Sequence, residues 1–196
     1  MNKEMLRTKK LLLFLGSVVG IGFILGLLFI SILSDENKEL IRSSITSFFE
    51  MINTNKINYL KEFVSDCSSN LGISLIIWLI GISIIGIFIV TGVIFFKSFI
   101  IGFSFSSIIY TLGFKGILLA IIYIIPEIIS LFIMFILVYY AISFSIILFN
   151  YLFKKKEIVR TVIMRRYIKV LVIVGMGTIL NSLLRVLVTP NLLKLF

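Results

Sequence analysis

From Gly116 to Phe153 the chain runs for about 38 residues with a single charged side chain, Glu127, and a proline directly before it. That stretch constrains the fold more than any other. The hydrocarbon core of a bilayer is about 30 Å thick, and a spanning helix takes about 20 apolar residues. In lipid, backbone polar groups must be bonded internally, which leaves helices or closed barrels. The run is too long and too uniformly apolar for the alternating strands of a barrel. The expected fold class is therefore all-α.

Other apolar runs follow the same logic. Leu11–Leu33, Leu71–Gly113 (broken by Lys97) and Val170–Val188 each reach spanning length. The whole chain is 60% hydrophobic and 14% charged, with a mean hydropathy of +1.18. These values describe a polytopic integral membrane protein and no soluble domain. The net charge of +10 does not point to nucleic acid, because the basic residues flank apolar runs. That is the pattern of membrane topology and anionic headgroups.

Basic residues set the orientation. The tail 1–10 carries Lys3, Arg7, Lys9 and Lys10, and the loop 154–169 carries Lys154, Lys155, Lys156, Arg160, Arg165, Arg166 and Lys169. Both are expected in the cytoplasm, the loop against anionic lipid headgroups. Segment 34–70 is rich in acids (Asp35, Glu36, Glu39, Glu50, Glu62 and Asp66) and is expected outside. Two cytoplasmic segments need an even number of crossings between them. Leu11–Leu33, Leu71–Phe96, Ser98–Gly113 and one crossing within Gly116–Phe153 supply four, with a hairpin turning near Lys97. A last span over 170–188 leaves the tail 189–196 outside. The expectation is a five-span helical bundle in the cell membrane, N-terminus cytoplasmic and C-terminus extracytoplasmic. Leu11–Leu33 is too long for a cleaved signal and reads as a retained anchor. Trp78 and Tyr110 fall toward the outer face, Tyr151 and Tyr167 toward the inner.

As one helix, Gly116–Phe153 would be about 55 Å long, too long for an upright span. Counting back from its cytoplasmic end puts Pro126 and Glu127 near the outer boundary. Residues 116–125 then read as a short interfacial or re-entrant helix hinged at Pro126, since proline removes a helix donor. Arg185, counted from Val170, reaches the same depth. An ionised arginine in lipid snorkels or pairs, so a Glu127–Arg185 ion pair at the outer rim is expected. In the outer segment, Leu40, Ile41, Ile45, Phe48, Phe49 and Ile52 recur at helical spacing. Ser34 and Asp35 offer an N-cap with acids in the first turn. Ile57, Leu60 and Val64 suggest a second short helix, making a small extracytoplasmic helical hairpin. Its apolar face is a candidate contact for a partner, the bundle or the membrane.

Small residues mark helix-packing faces: Gly16/Gly20 and Gly22/Gly26 in the first span, and Ser98, Gly102 and Ser106 in the third. Packing within the chain is the favoured use, and homo-oligomerisation stays open. Chemistry is poorly provided for. With no histidine and one cysteine, Cys67, the commonest general base, the common metal clusters and an internal disulfide are absent. No phosphate loop occurs. No cofactor, metal or catalytic residue is expected, and the chain reads as a non-enzyme.

The segments "LIGISIIG" (79–86), "FFKSFIIGFSFS" (95–106) and "LGFKGILLAIIYIIPEIISL" (112–131), with the apolar run after them, resemble the stage II sporulation protein M family of endospore-forming bacteria. Length, the polar segment after the first span and the five-span plan agree. The family can carry an amide-type residue after the proline where this chain has Glu127. The resemblance implies a membrane scaffold in forespore engulfment that anchors or recruits the peptidoglycan-degrading stage II sporulation proteins D and P at the septal membrane. It carries over no catalytic residue. The alternative is a membrane transport component, permease-like or lipid-handling, in which Glu127, Arg185 and a broken helix at Pro126 line a pathway.

Overall fold

Long apolar runs become long helices. The computed structural model describes residues 3–54, 58–154 and 160–193. Six α-helices form among them: α1 (Lys3–Phe29), α2 (Asp35–Asn53), α3 (Tyr59–Ile80), α4 (Gly86–Leu112), α5 (Gly116–Lys154) and α6 (Arg160–Leu193). Short 3-10 turns follow α1 (Ile30–Ile32) and join α4 to α5 (Gly113–Lys115), where Gly113 takes a positive φ of 62°. No strand occurs among the described residues. Four continuous helical stretches are long and apolar enough to cross a membrane: Leu6–Ile32, Tyr59–Ile80, Gly86–Tyr151 and Ile163–Leu193. The third is 66 residues and holds both α4 and α5.

The helices pack side by side in the order α1, α4, α5, α6, α3, with α3 also touching α5 and α2 lying against α4. One end of the bundle collects the start of α1 and the start of α6, with Lys9, Lys10, Arg165, Arg166 and Lys169. This is the basic end. The opposite end carries α2. The core between them is Leu15, Ile77, Val90, Ile94, Leu137, Val138 and Ala141, all fully buried.

Two expected boundaries are corrected. The hairpin does not turn at Lys97. It turns at residues 81–85, and Lys97 sits inside α4. The turn bonds itself: Gly81 N–H donates to Ile77 O, Ile82 to Leu79 O, Ser83 to Ile80 O and Gly86 to Ser83 O. The Ser145 hydroxyl donates to Ser83 O at 2.6 Å. A turn bonded in this way, with a hydroxyl from α5 on Ser83 O, can persist in an apolar setting. Glycine is required at 81, because a Cβ there would meet the Tyr167 hydroxyl and Ala141. Trp78 accordingly moves to the basic end, where its carbonyl accepts from the Tyr167 hydroxyl at 2.9 Å. Tyr167 stacks between Trp78 (5.4 Å) and Phe144 (4.5 Å).

Nor does Pro126 separate an interfacial helix over 116–125. α5 runs unbroken from Gly116 to Lys154 with Pro126 inside it. A proline kinks a helix and frees one carbonyl, but neighbouring helices in lipid can compensate. The carbonyl left without its helical donor is that of Ile122, four residues back; α6 braces the proline itself, with Asn181 Nδ2 donating to Pro126 O at 3.0 Å.

The outer segment is helical but not a self-contained hairpin. α2 begins at Asp35 with Ser34 as its N-cap, and the Ser34 hydroxyl accepts from the N–H of Asn37. Residues 59–70, with Leu60 and Val64, are the first turns of α3 and continue straight into it. Ile57 lies outside the described residues, as do Lys155, Lys156 and 194–196.

Candidate functional site

Each of four helices carries a charged residue toward one place, below the end of the bundle that holds α2. Asp66 comes from the polar first half of α3, Lys97 from α4, Glu127 from α5 and Arg185 from α6. Arg185 bridges the two acids: Nη1 lies 2.7 Å from Asp66 Oδ1 and Nη2 lies 2.6 Å from Glu127 Oε1. The second oxygen of Glu127 takes Lys97 Nζ at 3.2 Å. The second oxygen of Asp66 accepts from the Ser182 hydroxyl at 2.7 Å. Every carboxylate oxygen is therefore engaged, and two cations balance two anions. The Glu127 and Lys97 side chains keep only 11% and 16% of their exposure, so they are out of solvent. A buried ion can persist when it is paired and its remaining valences are bonded.

The helical spacing of α6 explains the convergence. Thr178, Ser182 and Arg185 share one face, at i, i+4 and i+7, and Asn181 stands beside it. Thr178, Asn181 and Ser182 are buried. α6 thus presents a polar stripe to α3 and α5 in place of an apolar one. The depth also follows. Asn181 is level with Pro126 and lies 11 residues into the run Val170–Val188, about 16 Å from one edge and about 10 Å from the other at 1.5 Å per residue. Arg185 lies three residues, about 4.5 Å, from the Val188 edge, so the ladder sits between that edge and the midplane of the run.

Water can approach from one side. A cavity of about 510 Å³ is lined by Lys61, Glu62, Asp66, Tyr123 and Arg185. Its lining reaches Arg185 but not Glu127 or Lys97. The site is neutral and saturated, and its Glu127 and Lys97 side chains are largely buried. Those properties suit fastening helices together and leave no free acid, base or nucleophile within the ladder. Among the described residues no group of three or more His, Cys, Asp or Glu converges.

The remaining candidates divide. Gly22, Gly26 and Gly102 lie in the α1–α4 seam, where a Cβ on any of them would collide with backbone of the facing helix. Ser98 is fully buried there and its hydroxyl donates to Val19 O at 2.6 Å. Gly16 and Gly20 face open space, and the Ser106 hydroxyl bonds back to Phe103 O in its own helix. On α2, Ile52 is buried (1% exposed), and Ile41, Ile45 and Phe49 are half-buried toward the bundle. A partner approaching α2 would meet Leu40 and Phe48, which are exposed, and not Ile52.

Sequence reasoning paired Glu127 with Arg185 but missed Asp66 and Lys97. Asp66 was placed in an outer hairpin, and Lys97 at a turn. The usable signal was the isolation of each charge. Lys97, Glu127 and Arg185 stand alone in apolar runs, and such charges seek opposite charges on neighbouring helices.

A family model described as Stage II sporulation protein M matches residues 11–190. No curated protein and no solved structure matches the chain.

Proposed function

The chain belongs to the stage II sporulation protein M family, and on that premise we propose that this sporulation-related membrane protein is a non-enzymatic scaffold. It holds peptidoglycan-degrading proteins, of the kind of stage II sporulation proteins D and P, at the septal membrane during engulfment. α1, α3, α4, α5 and α6 are its five spans. The basic end lies in the cytoplasm against anionic headgroups, as the distribution of Lys and Arg favours. α2 then lies outside, where Leu40 and Phe48 are open to a partner.

One observation carries the reading: the charge ladder is internally satisfied. A transport pathway needs groups that exchange partners with a passing solute and a wet route to them. Glu127 and Lys97 are paired with each other and lie beyond the lining of the polar cavity. The test is crosslinking and co-purification of the tagged full-length protein from sporulating cells. Retention of a cell-wall hydrolase by the wild-type protein is the expected result. Recovery of no hydrolase under crosslinking defeats the scaffold reading.

A further inference from the structure

A second cavity, of about 590 Å³, lies beneath α2. Phe29 at the end of α1, Ile45 and Phe49 on α2, and Phe103 on α4 wall it with apolar surface. Phe48 and Tyr123 meet edge to face at 6.0 Å and line both this cavity and the polar one over Arg185. Mostly apolar walls with a few placed polar groups, in this volume range, are the signature of a small-molecule site.

Ser107 on α4 supplies an independent sign. Ser107 is among the residues lining the cavity, is 3% exposed, and carries a buried hydroxyl with no hydrogen-bond partner. Thr91, Ser106, Thr111 and Thr178 each bond back to a carbonyl three or four residues earlier. Ser107 does not. A buried unpaired hydroxyl is costly, so a ligand that brings an acceptor to this point is favoured.

Size and position select the ligand. A helix about 10 Å across displaces roughly 420 Å³ per 5.4 Å turn, so the cavity would take little more than one turn of a partner helix. At about 30 Å³ per water-sized group it takes roughly 20 such groups, about one long acyl chain. Phe29 and Leu33, which line the cavity, are chain neighbours of the exposed apolar residues Leu28 (59%) and Ile32 (77%) at the end of α1 and in the turn after it. In a spanning helix such residues face lipid. The two cations of α2 are both paired, Lys38 with Asp35 and Arg42 with Glu39, so charge does not select the headgroup.

We propose that the cavity beneath α2 is a lipid site, taking one acyl chain of a membrane glycerophospholipid with its ester carbonyl accepting from the Ser107 hydroxyl. The full-length protein is reconstituted into phosphatidylethanolamine–phosphatidylglycerol vesicles. These contain a trace of either lipid bearing a diazirine in its acyl chain, and adducts are mapped by mass spectrometry after illumination. Adducts should concentrate on the peptides holding Phe48, Phe49 and Phe103, equally for both headgroups. Ile45→Trp and Ser104→Trp, which fill the cavity from opposite walls, should each lower them about tenfold relative to adducts at Leu28 and Ile32. Helical circular dichroism identifies variants that fail to fold. The wild-type map decides independently of any variant. Adducts at the cavity no denser than at Leu28 and Ile32 overturn the proposal. So do adducts that both folded filling variants leave unchanged, or crosslinks joining the α2 helices of two copies in their place.

Discussion

Glu127→Gln is the perturbation that isolates the charge ladder. Arg185 would keep Asp66 at 2.7 Å, whereas Lys97 loses its carboxylate inside α4. The cost is therefore mainly that of one unpaired lysine out of water. Breaking one partner of a buried pair costs about 3–5 kcal/mol. A lysine at the centre of a membrane helix costs about 2.5–3.5 kcal/mol on insertion scales. The two estimates meet near 3 kcal/mol. Lys97→Met removes the stranded cation, so Lys97→Met/Glu127→Gln should recover all but about 1 kcal/mol, and the two single costs should not add. Unfolding of detergent-solubilised protein by added SDS, followed by the fluorescence of Trp78, the sole tryptophan, measures all four corners of the cycle. Trp78 is stacked on Tyr167 at the far end of the bundle, so it reports global unfolding and not a local change at the ladder. Additive single costs, or a double variant as weak as Glu127→Gln, would refute the pairing argument.

Other changes separate the packing faces. Gly26→Leu and Gly102→Leu should part α1 from α4 and abolish the folded protein, read by size-exclusion profile, while Gly16→Leu and Gly20→Leu leave it intact, because only the first two would place a side chain against facing backbone. Tyr167→Phe should cost about 1 kcal/mol in SDS unfolding by removing the bond to Trp78 O, and Tyr167→Ala about 3–5 kcal/mol, since it also empties the stack between Trp78 and Phe144. Ser34→Ala should weaken α2 by about 1 kcal/mol, read as faster amide exchange over 35–40 with no change in α4.

The legible parts of this protein were local. The α1 run, the N-cap at Ser34 and the amphipathic spacing of α2 are written in residues near each other in sequence, where the solvent or cap that decides them is the same in any fold. The illegible parts were junctions. Within 71–113 the turn at 81–85 is marked only by Gly81, Ser83 and Gly86, because its N–H groups bond carbonyls three and four residues back and the polar donor to Ser83 O comes from Ser145 on another helix. Placing that turn at Lys97 put Trp78 at the wrong end and hid Lys97 from Glu127. Pro126 misled similarly: the local rule breaks a helix there, yet α5 continues through it, braced by a bond to Pro126 O from Asn181, 55 residues away.

The sequence by itself determined that this chain is helical and belongs in a membrane, since hydropathy and run length bound those outcomes before any contact forms. Only the tertiary structure decided which isolated charges meet. In a low-dielectric interior the nearest opposite charge governs, and nearness between Asp66, Arg185, Glu127 and Lys97 is a property of the helix register across the bundle, which no stretch of the chain contains alone.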